Sequence, residues 1–263
     1  MKLPYMDALG SVGLVGERKA LALLCLGFYT TMFFMIGLSA RTELPEWVPV
    51  FSAMTVMYGV TFFAVAAEWF WGRWVASGIG YWGMTMSLMV WVTQRTLPPV
   101  MIIFGTMHAL ILVSLMGEKM AAVFDAKPDW RARWKIDDQG VIRVRKSVTR
   151  AASSLPVIIM YTLAPREGQE MLALAACSLV VVGLGGVLVS RTFGVLLIGA
   201  GGLATLALSF GGSSLALTSG LAYGPLAELG MVTPFVGPLA AALALAAVLP
   251  FAKPMAAYVL HRR

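Results

Sequence analysis

Runs of about twenty apolar residues with almost no charge, such as MLALAACSLVVVGLGGVLV at 171–189, limit what this chain can fold into. Each is as long as a helix must be to cross a ~30 Å hydrocarbon core, at ~1.5 Å of rise per residue. Several such runs recur, and the 263 residues are 59% hydrophobic and only 13% charged. A water-soluble domain of this length leaves about a quarter of its chain surface in water and has nowhere to hide so much apolar side chain. With a mean hydropathy of +0.81, the expected fold is all-α, a polytopic integral membrane helical bundle.

The runs lie at 20–40, 47–67, 74–93, 99–117, 148–165, 171–189, 194–210 and 231–251, which predicts about eight transmembrane helices. The first resembles a secretion signal behind Arg18 and Lys19, but it is too long for a signal h-region and reads as a span that stays. The fifth is the weakest, because its apolar part is short and Pro156 interrupts it. Charge supports it. With eight spans and both termini in the cytoplasm, only Arg41, Arg95 and Arg166 of the 20 lysines and arginines fall outside. With seven, Arg191, Lys253, Arg262 and Arg263 move outside while Arg166 moves in, and the positive-inside bias weakens. An inner (plasma) membrane location is expected. Arg150, at the inner end of the fifth run, has a stem long enough to snorkel.

The long polar stretch divides the chain into an N-terminal membrane half (1–117), a basic cytoplasmic loop (118–149) and a C-terminal membrane half (150–263), a candidate pair of parallel four-helix halves. The halves differ in texture. All eight tryptophans precede position 135, and all but Met160, Met171, Met231 and Met255 of the 17 methionines lie at or before Met120. GRWVASGIGYWGMTMSLM at 72–89 resembles SRTFGVLLIGAGGLATLAL at 190–208, each having an arginine and an aromatic residue before a glycine-studded helix. A parallel duplication requires such a match at the second-to-third helix junction of both halves; convergence of short Arg-containing turns is the alternative. Gly201, Thr205 and Ser209 line one helix face, and Ser77, Gly80, Gly83 and Ser87 another. Small residues of this kind let helices approach where lipid supplies no hydrophobic drive between them.

Three features carry functional expectations. His108, one of two histidines, falls near the middle of the fourth run, and an ionisable group at that depth raises a functional hypothesis. It is a ligand-binding or proton-relay candidate together with Thr106. Its partner must come from another helix, with Thr55, Thr85 and Ser87 as candidate hydroxyls. The alternative is a neutral imidazole that holds helices together. The segment 211–238 is apolar yet broken by residues such as Gly220, Gly224 and Pro225, as at transporter binding sites, or it is an external loop lying on the bundle. The loop 118–149 offers Trp130, Arg131, Arg133, Trp134, Lys135, Arg143, Arg145 and Lys146 to anionic lipid headgroups or a cytoplasmic protein. Within it, DDQG reads as a turn, and VIRVR as a short strand or the start of the next helix.

No catalytic motif and no metal-ligand spacing occurs in the sequence. Cys25 and Cys177 read as buried hydrophobes. The methionines near His108 suit a soft metal in type but not in spacing, so no metal, cofactor or nucleic acid is expected. A non-catalytic subunit or assembly factor of a membrane complex is the leading function, with other membrane proteins or a second copy of the chain as partners. The alternative is a transporter or channel with a midplane site near His108 and the broken segment 211–238. A membrane enzyme comes last, because catalysis needs converging polar groups.

Overall fold

The structure, a computed structural model, describes residues 13–95, 98–125, 137–165, 168–210 and 233–260. Every element in these residues is helical: α1 (Leu14–Glu43), a 3₁₀ turn (Pro45–Trp47), α2 (Val48–Ala66), α3 (Gly72–Gln94), α4 (Pro99–Ser114), α5 (Glu118–Asp125), α6 (Asp138–Leu163), α7 (Glu170–Leu188), α8 (Thr192–Phe210) and α9 (Thr233–Leu260). Six of the described helices are long and apolar enough to cross a membrane, and a bent pair, α4 with α5 at 72°, makes a seventh if it counts as one span. The chain is therefore an all-α, multi-pass membrane protein.

The fifth expected span, 148–165, is the distal part of α6, and α6 does not reach the apolar character of the other six, so six to seven spans qualify among the described residues where eight were expected. Its surroundings explain this. α6 packs against α3, α7 and α9 and touches α2. Between Ser147 and Thr162 only Thr149, Arg150 and Met160 escape full burial. A helix covered by protein has no need of a lipid-facing surface, so hydropathy understates it. The polar stretch ahead of it is the same helix: VIRVR is helical, and the Asp137 carboxylate caps it by accepting the Gly140 N–H at 2.7 Å.

α1 to α4 close a ring in which each helix packs on the next and α4 returns to α1; α6 to α9 do likewise. The two rings meet chiefly where α3 crosses α6. Gly78 makes that crossing close, since a Cβ there would meet Ala152 Cβ at 2.6 Å and Ser153 N at 2.9 Å. The turns after the second helix of each ring match. Glu68 and Ser190 both have φ 57°. Trp69 N–H donates to Ala64 O at 2.9 Å, and Arg191 N–H to Gly186 O at 2.8 Å. Gly72 and Gly194 then lie against the backbone of Ala64 and Gly186 respectively. Geometry thus pairs Gly72 with Gly194, and the arginines that carry the likeness in sequence, Arg73 and Arg191, are not equivalent positions. The glycine stripes do face neighbours: Gly80 and Gly83 meet α4, and Gly201 meets Val180 of α7.

Basic side chains close helix ends at one end of the bundle, hereafter the basic end. Arg18 donates to the Val113 and Met116 carbonyls at 2.6 Å each, where α4 bends. These carbonyls terminate a helix, where a cation is favoured. Lys19 pairs with Glu68 at 2.6 Å.

Arg150 does more than snorkel. Its Nη1 donates to Ala246 O at 2.9 Å, in the middle of α9. That carbonyl is free because the residue four further on is Pro250, which has no N–H to give. Arg150→Leu is expected to cost about 2 kcal/mol by stranding the carbonyl. In a Pro250→Ala background, where alanine restores the missing N–H, the same change should cost almost nothing. Unfolding of the four chains in detergent gives the comparison, and equal penalties in both backgrounds would disprove the assignment.

Candidate functional site

His108 is the polar centre of the N-terminal ring, with 0% of its surface exposed. α4 begins at Pro99 in its first turn, where a missing N–H costs nothing, and carries His108 to the face that meets α3. There Gly83 leaves room for the ring, because a Cβ at 83 would land on the imidazole atoms Cγ, Cδ2 and Nδ1. Gly80 admits the His108 backbone one turn away, where a Cβ would lie 3.0 Å from the His108 carbonyl oxygen.

Both ring nitrogens are engaged. Nδ1 lies 2.8 Å from the Phe104 carbonyl, and Nε2 lies 2.8 Å from the Tyr58 hydroxyl. A carbonyl only accepts, so Nδ1 carries the proton and the Nε2 lone pair receives the Tyr58 O–H. Tyr29 O–H donates to the same Phe104 carbonyl at 3.2 Å. Aromatic rings complete the cage: Phe104 at 4.2 Å between centroids, Tyr29 at 4.5 Å and Trp82 at 5.6 Å, the last edge-on. One side chain thereby ties α1, α2, α3 and α4 together. Two hydrogen bonds in so dry a site hold the ring in one tautomer and one orientation.

Of the hydroxyls expected to reach His108, none does. Thr55 donates to Phe51 O at 2.8 Å, Thr85 to Tyr81 O at 2.8 Å and Ser87 to Met101 O at 3.0 Å. Thr106 is exposed while His108 is sealed, so the two do not form one site. Tyr58 was the missed partner. It lies in the apolar stretch VMYGV, where the only cue was a phenol that needs an acceptor once buried. Arg145 and Lys146 are exposed on the first turns of α6, and Arg143 is half-buried beside them. Gly220, Gly224 and Pro225, and Trp130, Arg131, Arg133, Trp134 and Lys135, lie outside the described residues. Met54, Met57, Met86 and Met101 belong to the apolar core, and among the described residues no three His, Cys, Asp or Glu side chains gather as a metal site would need.

Beyond Trp82, a cavity of about 500 Å³ runs between α3, α4 and α6 to the basic end. Trp82 lines it and also contacts His108, so the cage and the cavity share one wall. Compared with known protein families, curated proteins and solved structures, the chain gives no match.

Proposed function

We propose that this multi-pass protein is a non-catalytic subunit or assembly factor of an inner-membrane complex, with both termini in the cytoplasm. The observation that carries the reading is the closed His108 cage: both nitrogens are engaged within the bundle, so the most polar group of the N-terminal ring acts as interhelical glue. A proton relay or ligand site needs a group with a free lone pair or a path to water, and this histidine has its hydrogen-bonding capacity filled. The exposed Arg145 and Lys146 at the start of α6, continuous in sequence with the basic loop, offer a surface for a cytoplasmic partner. One observation favours the transporter reading instead, the cavity that reaches the far side of Trp82.

Labelling separates the two. With Cys25 and Cys177 changed to alanine and His108→Cys as the single thiol, a membrane-impermeant maleimide added from either side is expected to leave the folded protein unlabelled. Labelling from one side would show an aqueous path to the centre of the bundle and put transport first.

A further inference from the structure

We infer that the cavity between α3, α4 and α6 is a binding site for an anionic phospholipid, its phosphate headgroup at the basic end and one acyl chain along α3. The inference holds whether or not the chain works within a complex. Arg73 on α3 and Arg145, Lys146 and Arg150 on α6 all line the cavity, and among the described residues no carboxylate does. Arg73 lies within electrostatic reach of Arg145, a like charge, and of the carboxylate of Asp125 at the end of α5. Four cations gathered around one opening form a field that favours an anion, and guanidinium groups match phosphate oxygens in geometry.

The rest of the cavity suits an amphiphile better than a free ion. Ser77 and Thr149 lie near the cations, and Tyr81, Leu112, Leu115 and Leu243 add apolar lining. From Arg73 to Thr85 the α3 wall runs about 18 Å, at ~1.5 Å per residue, passing from charge to apolar surface as a lipid does. Tyr81, about two turns along α3 from Arg73, lines the cavity and is 44% exposed, so the cavity is open on that side of the bundle. A lipid can enter by that side without leaving its leaflet. The volume, about 500 Å³, lies within the ~300–1,000 Å³ of small-molecule sites. Zwitterionic headgroups bring an ammonium that the four cations would repel, which selects anionic lipids.

The test uses the full-length chain in a mild neutral detergent, titrated with phosphatidylglycerol, with phosphatidylcholine of the same acyl chains, and with inorganic phosphate. Binding is read by native mass spectrometry and by the shift in thermal unfolding. Phosphatidylglycerol is expected to bind at least about tenfold more tightly than phosphatidylcholine, because each nearby cation favours a headgroup with net negative charge. Millimolar inorganic phosphate should leave unfolding unchanged. Arg145→Gln with Lys146→Gln, both exposed and so tolerant of change, should remove about tenfold of the phosphatidylglycerol affinity and none of the phosphatidylcholine affinity. Lys146→Gln alone should remove a few-fold. Equal affinity for the two lipids, or an undiminished phosphatidylglycerol affinity in the double variant, would overturn the site. Phosphate stabilising as well as the lipid would make it a site for a soluble anion and overturn the lipid assignment.

Discussion

A chain carrying Gly83→Ala is expected to lose most of its folded yield, and His108→Ala in the same chain is expected to restore part of it. The added methyl group would occupy the space of the imidazole. The ring cannot swing aside, because Tyr58 holds Nε2, the Phe104 carbonyl holds Nδ1, and Tyr29 and Trp82 stand against it. The helices must part instead, at a cost of about 3 kcal/mol or more for overpacking a rigid site. His108→Ala by itself leaves a void and a Tyr58 hydroxyl without its acceptor, worth about 2–4 kcal/mol. Together the two changes put a methyl where part of the ring was. The double variant should therefore be more stable than the sum of the singles by about 2 kcal/mol, a coupling that distant sites do not show. Thermal unfolding of the four chains in detergent measures it, and simple additivity would mean that Gly83 and His108 are not packed as described.

The second large effect is expected at the joint between the rings. Gly78→Leu should abolish the folded protein. The first atom of the new side chain would meet the Thr149 carbonyl oxygen, and next Ala152 Cβ at 2.6 Å and Ser153 N at 2.9 Å. Two of these are backbone atoms of α6, which cannot rotate away as a long side chain can. α3 and α6 would separate, taking apart the main contact between the two rings. Gly185→Leu is the control: nothing lies within 4 Å of a Cβ at that position, so its effect should stay within about 0.5 kcal/mol. Fluorescence-detected size exclusion of the two variants reads the difference. A monodisperse Gly78→Leu protein would show that the rings can be pushed apart without loss.

Much of this architecture was legible in the sequence because lipid imposes simple rules. Apolar length located the spans, and the stripe through Gly80 and Gly83 marked a packing face on α3 without saying which helix it meets. The His108 cage was legible only as a question. Depth in an apolar run marked the residue as costly, but its partners arrive from three other helices, and no spacing within one helix encodes which phenol meets it. α6 misled for a related reason. Its distal part was read as a short, interrupted span, since hydropathy measures fitness for lipid and this helix faces protein. Arg150 was visible as a cation near an apolar run, while nothing in the sequence singled out Pro250. That the first supplies what the second lacks depends on a crossing almost a hundred residues apart in the chain, which only the fold reveals.

The protein-covered character of α6 bears on how the molecule is made. A segment that meets only other helices cannot be held in the bilayer by its own partition into lipid. It must be retained by neighbours, and these emerge from the ribosome on both sides of it: α3 before, α7 and α9 after. The carbonyl that receives Arg150 is synthesised almost a hundred residues after it. Biogenesis therefore cannot follow chain order one helix at a time. α6 has to wait beside α3, half-housed, until α9 arrives and completes its enclosure.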